Sequence, residues 1–240
     1  FRVNRTMYKP IGTQVEKMFS GIASRYDFLN HLLSFGLDYL WRRKLVSDVA
    51  KIKPSNILDL ATGSGDVAFS LSQSIDSGTT IMAQDFCEPM LEKARSKQSH
   101  LKNCDNIKFE FGDCMELGIE DNAYDAITIA FGVRNFEERL KGFKEMHRVL
   151  KPEGSLFVLE FSQPYNWFRP FYYLYLKFIL PTIAGLVTRD KEAYKYLAGT
   201  IESFPTRVLL KKQLLDAGFN SVKITSLAFS TVAIHQAIKA

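Results

Sequence analysis

A chain of 240 residues, 46% hydrophobic and 24% charged, is long and apolar enough for one α/β domain with additions and is not disordered. The net charge of +5 suits an anionic partner or an acidic membrane surface, but the excess is modest and spread out, and nothing in it points to nucleic acid. Cys87, Cys104 and Cys114 make no Cys-x-x-Cys pair and imply a reducing compartment, while four scattered histidines make no metal-ligand spacing, so no metal is expected. No signal peptide precedes Phe1, and a chain starting at Phe reads as one that has lost its natural start.

Residues 1–54 read as a helical cap. Thr13 and Glu16 have capping-box spacing, and Val15, Met18, Phe19, Ile22 and Tyr26 follow a helical period. Leu40, Trp41, Leu45, Val46 and Val49 form a second stripe, broken at Pro54. From residue 56 strand-like runs at 56–61, 79–85, 107–111, 125–131 and 154–161 alternate with helical runs at 66–74, 88–98 and 137–150. Asn135 and Glu138 look like the start signal of the last of these helices, and the link from 111 to 125 reads as a loop.

Such alternation implies a parallel sheet wound on both faces. After Pro164 an aromatic insertion, 164–204, begins; its run from Phe171 to Val187 is short for a membrane span and holds Lys177 and Pro181. It reads either as a buried core helix or as a partly exposed lid that meets a greasy substrate or a membrane surface. A helix at 206–217 and strands at 219–225 and 228–238 close the chain. The short link forces those two strands to pair antiparallel. The fold class expected is α/β, a doubly wound, seven-stranded Rossmann-like sheet with an antiparallel last strand, in a single domain spanning 1–240.

In such sheets ligands sit at the carboxyl ends of the strands. The first strand delivers Asp59, Thr62, Gly63, Ser64 and Gly65, where glycines at a strand-to-helix turn let a backbone approach a nucleotide. Asp85 follows at the second strand end, placed for ribose hydroxyls. Asp113 and Cys114 follow at the third, near an adenine amine, and Met90 offers an apolar face for the base. Asp59 and Asp66 put negative charge at the turn, which disfavours a pyrophosphate and suits a sulfonium, so S-adenosyl-L-methionine is expected rather than NAD.

The sequence also resembles the C-methyltransferases of ubiquinone and menaquinone biosynthesis, from about Val15 to Ala237. Arg25-Tyr26-Asp27-Phe28-Leu29-Asn30 and Phe131-Gly132-Val133-Arg134-Asn135 carry the likeness most specifically. Asp59 to Asp66, Arg148 to Gly154, Leu159-Glu160-Phe161-Ser162, Glu192 to Leu197 and Phe204-Pro205 extend it. Glu153 departs from the pattern where a glycine is usual, and Gly118 where a proline is common.

The resemblance implies cofactor contacts at Ser64, Asp85, Asp113, Cys114 and Ala130, the last through backbone only. It implies methyl transfer to a ring carbon of a prenylated quinol, with Arg134 stabilising the phenolate or orienting a water that takes its proton, and Tyr26 and Asn135 positioning the quinol oxygens. His235 is a further candidate. Structural partners for Arg134 would be Asp27 or Glu138. A cytoplasmic protein, peripheral at the inner face of the membrane, is expected, and a homodimer is compatible with the residues. The rival readings are an NAD-dependent oxidoreductase on a similar sheet and a nonenzymatic membrane-associated subunit.

Overall fold

The computed structural model describes His31, residues 34–180, Thr182 and residues 191–240. The expectations on Thr13 to Asn30, Tyr26 included, and on Pro181 and residues 183–190 lie outside the described residues. Seven strands, β1 (Asn56–Leu60), β2 (Thr80–Asp85), β3 (Ile107–Phe111), β4 (Tyr124–Ala130), β5 (Leu150–Phe161), β6 (Ser221–Leu227) and β7 (Val232–Ile238), form one sheet in the order β3-β2-β1-β4-β5-β7-β6. Strands β1 to β5 pair parallel, and β7 lies antiparallel between β5 and β6. The order reverses between β1 and β4, which puts a crevice at their carboxyl ends.

The helices are α1 (Leu37–Ala50), α2 (Asp66–Ser74), α3 (Glu88–Gln98), α4 (Arg139–Val149), α5 (Arg169–Leu174), α6 (Lys191–Ser203) and α7 (Arg207–Asp216). Strand residues alternate between faces, and each face has its own core. On one, Ile57, Phe157, Leu159, Val232 and Ile234 meet Trp41, Leu45 and Val49 of α1 and apolar residues of α2 and α3. On the other, Leu58, Leu60, Ile127, Ile129, Leu156 and Val158 meet Phe143 and Met146 of α4 and Leu210 and Leu214 of α7. Burial on both faces is why these strands read as near-continuous apolar runs. α1 belongs to the sheet because Trp41, Leu45, Val46 and Val49 share one face and are buried, each worth about 1.5–3 kcal/mol. Pro54 then lies between its end and β1.

The spans of α2 and α3 match expectation, whereas other boundaries move: β6 runs Ser221–Leu227 rather than 219–225, and three further shifts have a visible cause. The helix expected from 137 begins at Arg139. Its N-cap is Glu138, with no side-chain cap, because Asn135 lies in a 3-10 turn (Val133–Asn135) and its Oδ1 accepts from Tyr196 Oη, 3.1 Å away. β5 begins at Leu150 rather than at 154: its register against β4 jumps from Tyr124–Leu150 to Ala126–Ser155 over the turn at Pro152 and Glu153. The last strand begins at Val232 rather than 228, after a left-handed turn at Ala228–Ser230.

The aromatic insertion is partly exposed. α5 continues as a π-helical turn, Tyr175–Ile179, whose Leu176 packs with Leu180 and Ile201 in a small third core. Trp167, Phe171, Leu174 and Phe178 face outward. Among the described residues no helix is long and apolar enough to cross a membrane.

Candidate active site

The glycine turn is built by hydrogen bonds from three strands. Asp59, buried at the end of β1, accepts from Thr62 Oγ1 and Thr128 Oγ1, each at 2.6 Å. Burial pushes its carboxyl up to about 6, against the lowering by the two hydroxyls, with Asp85 adding a smaller upward push. Asp85 accepts from Gly63 N at 2.8 Å and Cys87 N at 2.9 Å, so it ties the turn to the start of α3; burial raises its pKa as well. Gly63 and Gly65 stand at φ +57° and +87°, which L side chains rarely adopt. A Cβ on Gly65 would lie 2.8 Å from Phe69 and 3.0 Å from Phe109, whereas one on Gly63 would only touch Met90 Cε at 3.4 Å. Gly65 therefore serves packing, and Gly63 keeps the space before Met90 open.

The turn is not the negatively charged seat that its two acids suggest in sequence. Asp66 does not present an uncompensated charge: Lys97 Nζ is 2.9 Å from one of its oxygens and Arg42 Nη1 is 3.1 Å from the other. Asp59 is enclosed by hydroxyls. The local charge therefore does not by itself separate a sulfonium from a pyrophosphate. Ser64 is buried, and its Oγ accepts from Lys97 at 3.0 Å.

At the third strand end Asp113 is exposed and accepts from Met115 N at 2.8 Å. Cys114 is a free, buried thiol whose pKa is raised, first by burial and then by Asp85 and Asp113. Ala130 ends β4 opposite Leu159 of β5. Gly132 packs on the glycine turn so closely that a Cβ there would lie 2.6 Å from Ala61 Cβ.

That contact brings Arg134 beside the turn. Its partner is neither Glu138 nor, among the described residues, another surface acid, but Glu160 in β5: Arg134 Nη1 lies 3.1 Å from Glu160 Oε1, and Arg134 N donates to Oε2 at 3.2 Å. Phe161 N fixes the same carboxylate at 2.9 Å. Arg134 Nη1 also donates to Phe131 O, and the guanidinium stands 5.3 Å from the Phe161 ring centroid. Its Nε is buried without a hydrogen-bond partner among the described residues.

This group faces a cavity of about 760 Å³, walled mostly by apolar side chains of α1, α5 and α6 and of the β6–β7 turn, among them Trp41, Phe131, Tyr172, Leu197 and Phe229. Tyr172 feels Arg134 and Glu160, but burial dominates and raises its pKa. A buried guanidinium in a greasy wall is suited to an oxygen on an otherwise apolar ligand.

Asn135 is half-buried beside Tyr196 and does not line this cavity. His235 stands apart too: it lies on the other face of β7 from Val232 and Ile234, and its Nε2 donates to Arg207 O at 2.8 Å. Burial pushes its pKa down to about 4. Glu160 was legible only as a lone acid in an apolar strand, which must find a partner. The distant contribution of Phe229 had no sequence signal.

A seven-stranded sheet with an antiparallel β7, and a glycine turn at the end of β1, define a Rossmann-like methyltransferase fold. Solved structures agree. An S-adenosylmethionine-dependent methyltransferase from Aquifex aeolicus matches 82% of this chain and 89% of its own at TM-score 0.61 and 21% identity. The cyclase SpnF matches 96% of each at TM-score 0.68 and 17% identity, so the fold alone does not fix the reaction.

The chain belongs to the ubiE/COQ5 methyltransferase family, whose model matches residues 7–239. A demethylmenaquinone methyltransferase of Bacteroides fragilis is 38% identical over 227 residues, 94% of this chain and 92% of that protein. A ubiquinone/menaquinone biosynthesis C-methyltransferase of Rickettsia felis is 41% identical over 229 residues, 94% and 92%. The chain is thus an S-adenosylmethionine-dependent methyltransferase, and the oxidoreductase and nonenzymatic readings fall.

Proposed function

We propose that this enzyme methylates a ring carbon of a prenylated quinol in menaquinone or ubiquinone biosynthesis. The observation that carries the reading is Arg134, buried in the wall of a large apolar cavity two residues beyond the Gly132 that packs on the glycine turn, with an Nε that has no partner among the described residues. Such a cavity takes a long hydrocarbon tail, and the guanidinium supplies one hydrogen bond where a ring oxygen would sit. The names of the relatives point to the same substrate class.

The residues at the strand ends suit the cofactor. Gly63 and Met90 offer backbone and an apolar contact, Asp85 retains carboxylate lone pairs beyond the two backbone donors it holds, and Asp113 is exposed at the rim. Thr62, Ser64 and Gly65 keep the turn in shape, Asp59 supports it from beneath, and Cys114 and Ala130 complete the floor. S-adenosylmethionine held by these residues would supply an electrophilic methyl and leave as the thioether. The ring carbon becomes nucleophilic as the neighbouring phenol loses its proton, and once the ring carbon is methylated its hydrogen leaves as a proton, which restores the aromatic ring.

The chain's part is to align the ring and hold the developing oxyanion. Arg134 does the second, because a guanidinium serves as a charge and a hydrogen-bond donor rather than as a base. Tyr26 and Asn135 remain candidates for placing the second quinol oxygen, Asn135 after release from Tyr196.

The outward Trp167, Phe171 and Phe178 support a peripheral contact with the membrane that dissolves the substrate. The test is a methyl-transfer assay with demethylmenaquinol and with the demethylated benzoquinol, for wild type and Arg134→Ala. Turnover should fall at least a hundredfold with cofactor affinity nearly unchanged. Equal loss of both would remove Arg134 from the chemistry.

A further inference from the structure

Between β6 and β7 three successive non-glycine residues, Ala228, Phe229 and Ser230, stand at φ +45°, +55° and +67°. Each is disfavoured for an L residue, and single residues of this kind cluster where function needs them. The turn persists because its surroundings over-determine it. Tyr165 N donates to Phe229 O at 3.1 Å, Ser162 N to Thr231 O at 2.8 Å, and Arg207 Nη1 to the buried Ser230 Oγ at 2.6 Å. Glycines would make the same bend without strain and without a side chain.

What the strained backbone secures is the position of one ring. Phe229 is 56% exposed, yet it lines the cavity and packs against Trp167 and Phe168, with centroids 5.3 Å and 5.0 Å away. Arg134, also in the cavity wall, is only 6% exposed. The polar anchor is therefore a buried part of the wall, and Phe229 and Phe171, like Phe35 and Leu40 on the α1 side, are among its exposed parts. Phe229 is held there on a strained backbone by the Tyr165 N contact, where a tail running outward from Arg134 can meet its ring.

We propose that Phe229 is the tail-specificity residue: its ring grips the isoprenoid units beyond the first as they leave the cavity. The proposal rests on the quinol reading above. Flat aromatic rings suit the branched, unsaturated units of such a tail. Nothing in the chemical step requires the ring, so its effect belongs to substrate binding.

Methyl transfer is measured with one quinol ring carrying a long prenyl tail and with the same ring carrying a single prenyl unit. Phe229→Ala should raise KM for the long-tailed substrate about tenfold, leave KM for the short one within about twofold and leave kcat unchanged for both. Phe229→Leu should fall between, and thermal unfolding of both variants checks that they fold. Equilibrium titration with geraniol, two isoprene units without a ring, reads the site without turnover and should weaken in the same order. An equal KM change with both substrates, or none with the long one, overturns the proposal. Binding of geraniol that depends on Phe229, with neither quinol methylated by wild type, would keep the tail site and sink the quinol reading.

Discussion

Arg134 Nη1 lies 3.1 Å from Glu160 Oε1, and both side chains are almost wholly removed from solvent. The two partners are not held symmetrically. Without Arg134's side chain, Glu160 keeps the backbone donors of Arg134 and Phe161; without Glu160, the guanidinium keeps, among the described residues, only the acceptor Phe131 O. Losing one member of a buried pair costs about 3–5 kcal/mol when the other charge is stranded. Glu160→Leu should therefore destabilise by about that amount, and Arg134→Met by less. Denaturant unfolding of the two variants and of the double variant decides it, and equal single costs would contradict the asymmetry. Glu160→Gln, which keeps an acceptor for Arg134, should lower kcat more than it raises KM, because it changes how the guanidinium is aimed rather than whether the cavity exists.

Asp59 predicts a pH dependence of the opposite sign to the usual carboxylate. Its pKa rises from the ordinary 3.8 to about 6, because burial outweighs the two threonine hydroxyls. The folded protein thus holds a proton that the unfolded chain releases. The resulting stabilisation is complete below about pH 4 and is lost as pH rises through 6. The difference amounts to about 3 kcal/mol. In Asp59→Asn this dependence disappears, so stability of wild type minus variant should decline between pH 4 and 7. Parallel curves by thermal unfolding would show that Asp59 is ionised throughout.

The parts of the fold set by local rules were legible. The spans of α2 and α3 follow from apolar periodicity and the glycine turn, and the antiparallel β6–β7 pair follows from a link too short for a crossover. Failures came from contacts distant in sequence. Asp66 looked like free negative charge because Lys97 and Arg42, which neutralise it, lie on other helices. Asn135 looked like a helix cap because Tyr196, its partner, is on α6. The β6–β7 turn read as strand because Ala228-Phe229-Ser230 contains none of the residues that usually accept φ above zero. Arg134 could be singled out, but Glu160, Trp41 and Phe229 become its neighbours or share its cavity only when β5, α1 and the last turn meet.

The two glycines of the turn should separate stability from binding. Gly65→Ala combines a left-handed backbone with a Cβ driven into the Phe69–Phe109 pair, whose rings are 5.6 Å apart. A loss of about 2–4 kcal/mol is expected. Gly63→Ala carries the strain without the clash, so about 1 kcal/mol is expected, but its methyl enters the space before Met90. Calorimetric titration with S-adenosylmethionine should show the larger affinity loss in Gly63→Ala. The reverse order would place the ligand on the Phe69 side of the turn.

Glu153 gives a prediction in the stabilising direction. It stands at φ +63° in the turn that leads into the paired part of β5, and it is exposed. Its backbone N donates to Lys239 O at 3.1 Å, so the turn's path is fixed by the neighbouring strand end and cannot relax the angle. Pro152 before it sets the first corner, and at Gly154 after it a Cβ would lie 2.8 Å from Lys151 O. The strain therefore remains on Glu153. Glycine there removes about 1 kcal/mol of left-handed strain, partly offset by the greater freedom of glycine in the unfolded chain. Glu153→Gly should raise Tm by about 1–3 °C for a chain of this size, with kcat and KM unchanged because the turn lies at the opposite end of β5 from Glu160. A lower Tm would mean that the carboxylate makes a compensating contact worth more than the strain.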